Sequence, residues 1–231
     1  MQDLKTYKVE PPGPVRLEGR FVTVEPFRAE DHVQALWEAF GGLEINPTLE
    51  YFTQPYFSGI EDFAAWLQSV IKGGWIPHVF RDRSSRQVVG MASYMRADPA
   101  NGVVEVGGVA HSPAMKRSPL STEAHYLMAR HVFETLGYRR YEWKCDNRNA
   151  PSKATALRYG FAFEGIFRQH MISKGTNRDT AWFSIIDSEW PLVRAGFDAW
   201  LSPENFDADG QQKRRLEDLR AELTADAGVQ A

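Results

Sequence analysis

The sequence holds a single cysteine, Cys145, in 231 residues. That excludes a disulfide framework and any zinc cage built on several thiolates. Neither sign of charge dominates: 27 Lys+Arg stand against 30 Asp+Glu, a net charge of −3. Proteins that coat nucleic acid carry a basic excess, so no nucleic-acid partner is expected. No eighteen apolar residues run together, so no membrane span is expected. Met1 to Arg20 carries charges and prolines without an apolar stretch, unlike a secretory signal. A soluble, cytoplasmic protein is the expectation. Several chemical signatures are also missing. There is no Gly-x-x-x-x-Gly-Lys phosphate loop, no Gly-x-Gly-x-x-Gly turn and no Gly-x-Ser-x-Gly elbow. The six histidines never take His-Glu-x-x-His spacing, and no metal is expected.

What is present is core material. Hydrophobic residues make up 43% of the chain and aromatics 13%, enough for one large domain. Residues 1–14, ending in Pro11-Pro12-Gly13-Pro14, read as a flexible lead-in. Residues 15–202 read as the domain and 203–231 as a charged helical tail. Alternating runs around Glu18-Gly19 predict a hairpin. Val33, Leu36, Trp37 and Phe40, then Phe63, Trp66, Leu67 and Val70, take helical spacing. Strands are expected at 78–81, 88–96 and 103–111, and a long helix from Ser118-Pro119, a cap followed by proline. Strand 140–145, a short helix 152–159, a hairpin over 161–186 and a helix with Trp190, Val193, Phe197 and Trp200 complete the domain. The segment 211–225 reads as a helix with Leu216, Leu219 and Leu223 on a narrow seam. That seam either docks or belongs to a solvated helix. The pattern is α/β: a mixed, mostly antiparallel sheet with helices on both faces.

Two stretches carry chemical information. In the first, a strand with paired glycines, Gly107-Gly108, invites a bulge or a close backbone approach. It feeds the amino end of a helix bearing Lys116 and Arg117. Unpartnered N–H groups and the dipole make such an end attractive to anions, and two cations add to that. A phosphate-bearing ligand is one reading; an ordinary capped helix with exposed basic residues is the other. The second stretch runs from Asn149-Ala-Pro-Ser152 through Arg158-Tyr-Gly-Phe161 to Glu164-Gly165 and Arg168.

Together with Leu17-Glu-Gly-Arg-Phe-Val-Thr-Val-Glu-Pro-Phe27 and Thr122-Glu123-Ala124, this order of motifs resembles the GNAT acetyltransferase superfamily, in its RimJ/RimL-like branch. The resemblance covers about residues 15–190. It implies a sheet splayed between its fourth and fifth strands, here 103–111 and 140–145, with acetyl-CoA as cosubstrate in the cleft. The pantetheine arm would pair with the backbone of Val109, Ala110 and His111. The pyrophosphate would lie on the helix start, near Lys116, Arg117, Ser118, Ser121 and Thr122. Where the superfamily loop reads Gln/Arg-x-x-Gly-x-Gly/Ala, this chain has Lys116, Pro119 and Ser121, and Pro119 has no N–H to offer. A frequent tyrosine acid is replaced by Ala156.

The resemblance further implies that Ser152 protonates the departing CoA thiolate. The other reading has it capping the first helical turn. Asn149 bonds the pantetheine, a helix N–H, or both. Glu105 is the candidate general base, with His111 as rival, against a plain solvated position on a half-exposed strand. Tyr51, Phe52 and Tyr56 either grip the amine acceptor or roof the core. Cys145 reads as a small buried apolar group. The expected reaction is direct acetyl transfer to a primary amine, either a peptide amino terminus or a small molecule. The alternative is a non-catalytic acyl-CoA-binding regulatory module. Monomer and homodimer are both compatible with the sequence.

Overall fold

The computed structural model describes residues 4–229, with the backbone alone over 226–229. Leu17–Glu18 (β1) turns into Val22–Pro26 (β2), pairing Leu17 with Val24. Helix α1, Ala29–Ala39, starts before the apolar stripe suggests. The reason is His32, whose buried Nδ1 accepts the Arg28 N–H at 2.9 Å and closes the first turn. Gly42–Leu49 forms a 3₁₀ turn, and α2 spans Ile60–Lys72. Strands β3 (Ile76–Asp82), β4 (Val88–Asp98) and β5 (Val103–His111) follow as an antiparallel meander. Helix α3, Pro119–Arg130, runs into a π turn over His131–Thr135 and stops at Gly137, where φ is +73°. Then come β6 (Arg140–Asp146), α4 (Ala150–Arg158), β7 (Ala162–Ser173), β8 (Thr176–Ile186), α5 (Trp190–Leu201) and α6 (Leu216–Val229).

The sheet order is β1-β2-β3-β4-β5-β6-β8-β7, antiparallel except for the parallel pair β5–β6. A parallel pair needs a crossover, and α3 supplies it. Val88–Met95 of β4 is buried on both faces, which is why it reads as a near-continuous apolar run. One face packs Leu36, Phe63, Leu67, Val79 and Met91 with α1 and α2. The other packs Val104, Leu127, Met128, Tyr141 and Phe183 with α3 and α5. Among the described residues no helix is long and apolar enough to cross a membrane.

Both flanking segments differ from their sequence reading. The lead-in is strapped down over residues 7–15. Tyr7 donates to the Gly137 carbonyl at 3.0 Å, Tyr138 donates to the Glu10 carbonyl at 3.1 Å, and the Val15 N–H donates to His78 Nε2 at 3.2 Å. At the other end, α6 begins at Leu216, not at Gln211, and lies against α5. Leu216 is fully buried in the main core, and Arg220 donates to the Arg158 carbonyl at the end of α4 and to the Leu157 carbonyl, which also takes the Gly160 N–H. The leucine seam is a docked face; the solvated-helix reading of it does not hold.

Candidate functional site

The parallel pair β5–β6 holds only from Val103–Arg140 to Val106–Trp143. Beyond Val106 the two strands part. Gly107 pairs with Ser93 and Ala110 with Met91, so two residues, Gly108 and Val109, stand opposite Ala92 alone. This bulge is the close approach that the paired glycines suggest. Gly108 sits at φ +60°, where an added Cβ would lie 2.7 Å from the Trp75 ring. The extra twist turns β5 away from β6 and leaves the edge of Val109–His111 unpaired toward the gap. The gap opens into a cleft of about 1060 Å³ that runs from the Tyr51–Gln54 loop to the start of α3.

Gly108→Ala is expected to destabilise the fold by about 1–2 kcal/mol through its left-handed backbone, with the Trp75 clash added. Melting temperatures measured beside Gly74→Ala check this, because Gly74 has φ +85° but nothing within 4 Å of an added Cβ. Equal losses in the two variants would show that the ring contact is irrelevant.

At the helix end of the cleft stand Lys116 and Arg117, both exposed, the latter at φ +58°. No side chain caps α3, and Pro119 occupies its first turn. The hydroxyls expected to meet phosphate point elsewhere. Ser118 donates to the Met115 carbonyl at 2.7 Å and Ser121 to the Ser118 carbonyl at 3.0 Å. Those residues therefore offer backbone N–H, not hydroxyl hydrogen. Thr122 is buried and accepts from Arg158 Nη1 at 2.9 Å, which brings a third cation to the cleft. Arg158 is fixed under the Trp200 ring, 5.1 Å from its centroid. It sits inside the Arg-Tyr-Gly-Phe motif, but nothing in sequence says that it reaches α3. Trp200, Phe206 and Gln212, from the end of α5 and the segment beyond it, also line the cleft.

In the middle lies Ser152. Asn149, not Ser152, caps α4: its Oδ1 accepts the Ser152 N–H at 3.0 Å. Ser152 Oγ accepts the Trp143 indole N–H at 3.0 Å, which leaves its own hydrogen to give. Cys145 is its neighbour, buried, and its thiol is pushed up by desolvation against the opposing hydrogen bond with Ser152. His111 lines the same stretch with Nε2 3.3 Å from His125 Nε2. Burial lowers its pKa to about 4, and the charge of Lys116 adds to that, so the ring is neutral at pH 7 and a weak proton acceptor. Tyr159 packs against His125, with ring centroids 4.9 Å apart, as core filling.

Glu105 is not the solvated alternate position of a half-exposed strand. It is 3% exposed and held by Arg96 Nη1 at 2.8 and 2.9 Å and by Lys144 Nζ at 3.0 Å. Lys144 also pairs with Glu142 at 2.7 Å and lies 3.7 Å from the centroid of the Trp182 ring. Both carboxylate oxygens are thus shared with cations from the two flanking strands. Tyr51 and Phe52 line the far end of the cleft, where the β7–β8 hairpin ties their loop down. Arg178 Nη1 donates to the Tyr51 carbonyl at 3.1 Å and Ser173 Oγ to the Phe52 carbonyl at 3.4 Å. Tyr56 is outside the lining: it is exposed, with Lys174 Nζ 4.3 Å from its ring centroid. Among the described residues no cluster of three or more His, Cys, Asp or Glu side chains could hold a metal ion.

Residues 22–162 match a family model described as an acetyltransferase (GNAT) domain. A crystal structure of a GCN5-related N-acetyltransferase from Brucella melitensis shares 43% identity and superposes with a TM-score of 0.89, covering 94% of this chain and 99% of the other. A GNAT-family protein from Chromobacterium violaceum ATCC 12472 shares 37% identity over 80% of this chain and 92% of its own, with a TM-score of 0.75. At 28% identity and TM-score 0.74, an acetyltransferase-type structure from T. thermophilus covers 84% of this chain and 100% of its own. No curated protein matches significantly.

Proposed function

Because this chain belongs to the GNAT acetyltransferase family, we propose that it moves an acetyl group from acetyl-CoA directly onto a primary α-amine, with a peptide amino terminus as the leading candidate, as in the RimJ/RimL-like branch. The observation that carries the reading is the parted β5–β6 pair, whose free edge at Val109–His111 leads to the uncapped end of α3. A pantetheine amide can add to that edge as a strand does. The residues present fit the nucleotide end as well: Lys116, Arg117 and Arg158 supply charge, and the first turn of α3 supplies N–H groups. Acetyl-CoA, when bound, supplies the activated acetyl group. Ser152 donates the hydrogen that Trp143 leaves free to the sulfur as it departs. Tyr51 and Phe52 contact the acceptor.

The α-amine is favoured by the state of Glu105. A carboxylate whose oxygens are already crowded by Arg96 and Lys144 presents little free edge to an incoming acceptor, so an amine that arrives neutral suits it best. At neutral pH a free α-amino group is neutral roughly two to three orders of magnitude more often than a lysine side chain. Glu105 remains the proposed proton acceptor for such an amine, directly or through water.

The test is release of CoA thiol from acetyl-CoA, measured with and without a panel of peptides and small amines. Acceleration by an amine is the expected result. Binding without release would favour a non-catalytic acyl-CoA-binding module, a reading that Pro119 and the inward-turned hydroxyls of Ser118 and Ser121 support. A second expectation concerns the nucleotide end. The double variant Lys116→Ala/Arg117→Ala should weaken CoA binding several-fold, more at low salt than at high, because exposed charges are screened. Unchanged calorimetric affinity in the folded double variant would move the phosphates elsewhere.

A further inference from the structure

Charges in the Tyr51–Phe52 half of the cleft come in closed sets, with one exception. Glu105 is held by Arg96 and Lys144. Asp146, 2% exposed, is gripped by Arg148 through Nε at 3.1 Å, Nη2 at 2.8 Å and the backbone N–H at 2.9 Å. Arg178 on β8 lines the same region, half-buried, and forms no ion pair among the described residues. Neutral partners fix it in place. Nη1 donates to the Tyr51 carbonyl and Nε to Thr180 Oγ1 at 3.3 Å, which leaves Nη2 without a partner among the described residues. Burial pulls its pKa below the usual arginine value and the charge of Arg96 reinforces the fall, while Asp146, Cys145 and Glu105 act in the opposite direction without touching it. In the lining of the same cleft, the side-chain nitrogen of Gln54 is shielded from solvent and unpartnered.

A cation withdrawn from water without a counter-ion is costly, and the cost falls when an anion docks. The guanidinium fork matches a carboxylate in two parallel hydrogen bonds. One positive charge outside any ion pair matches a charge of −1 better than a phosphate dianion. We infer that Arg178 binds the acceptor: the amine acetylated here carries a carboxylate, held by the Arg178 guanidinium with the Gln54 amide as a second donor. The inference rests on the acetyl-transfer reading of the cleft and narrows its substrate class. It places the reacting amine toward Ser152, which lines the same cleft as Arg178 and Cys145.

The test uses matched acceptor pairs that differ in one carboxylate: free amino acids against their amides, and dipeptides with Glu against Gln in the second position. Each is measured by steady-state acetylation and by calorimetric binding to the full chain. The carboxylate member of a pair is expected to show at least a tenfold higher kcat/KM, mostly through KM. Arg178→Gln should erase that preference, bringing the two members of each pair to the same kcat/KM. Arg178→Lys should retain part of it, since it keeps the charge and loses the fork. Melting curves of both variants confirm folding. Equal use of the two members overturns the inference. So does an equal loss of kcat for both members in Arg178→Gln, which would place the guanidinium on the reacting carbonyl instead. If no acceptor is acetylated, the binding arm still decides. Carboxylate-selective binding lost in Arg178→Gln upholds the inference while the transfer reading fails, and its absence at millimolar ligand sinks the inference.

Discussion

Replacing Ser152 with alanine is expected to lower kcat about tenfold to a hundredfold, equivalent to about 1.4–2.7 kcal/mol of barrier, with acetyl-CoA affinity nearly unchanged. A thioester sulfur in the ground state is a poor hydrogen-bond acceptor, and a thiolate is a good one. The bond from Ser152 therefore strengthens as charge develops on sulfur, and an interaction made mainly in the transition state shows in kcat and not in binding. The geometry supports this assignment in two ways. Asn149 performs the helix capping that Ser152 would otherwise do, and the Trp143 N–H occupies an Oγ lone pair, so the hydroxyl acts as a donor, with the buried Cys145 thiol as its inward partner and the cleft as the other direction open to it. Turnover and calorimetric affinity on the same preparation check the split. A fall in affinity that matches the fall in kcat/KM would make Ser152 a binding residue only.

Glu123→Ala is expected to be the most damaging substitution for stability, costing about 3–5 kcal/mol because three backbone donors lose a charged acceptor at once. The carboxylate is 4% exposed and takes the N–H groups of Arg20 at 2.7 Å, Phe21 at 2.6 Å and Val22 at 2.9 Å. It pins the β1–β2 turn onto the first turns of α3. Gly19 lacks a side chain where a Cβ would run into this same carboxylate. For a chain of this size the melting temperature should fall on the order of 10 °C. Glu123→Gln, which keeps one oxygen acceptor, should lose about half as much. A shift of less than about 3 °C in the alanine variant would mean that the turn re-satisfies its donors with water. Because α3 also presents the cleft's basic end, the damage reaches the site: its first turn should bind CoA more weakly in proportion to the loosening.

Much of this architecture was legible from local pattern. Alternation marked the β1–β2 hairpin, apolar spacing marked α1, α2 and α5, a cap followed by proline marked α3, and Gly107-Gly108 announced the bulge that separates β5 from β6. These features depend on residues a few positions apart, and the chain carries them in its order. The Asn149–Ser152 pair was readable for the same reason, since a cap acts within one turn.

What surrounds a polar side chain was not legible. Alternation placed Glu105 on a polar face and so suggested solvent, but Arg96 and Lys144 come from two other strands and close over it. Their arrival depends on register, and register here is set by bulges at Met91–Ser93 and Met95–Asp98 whose counterparts lie on another strand. Arg158 and Arg178 enter the cleft by the same route, each oriented by a partner on a distant segment, Thr122 and Tyr51. The ends of the chain follow suit: charge and proline suggested a loose lead-in and tail, while Tyr7 on Gly137 and Leu216 in the core tie both to the domain. Periodicity along the chain reports which face is apolar, and only the packed sheet decides which charges meet across the polar one.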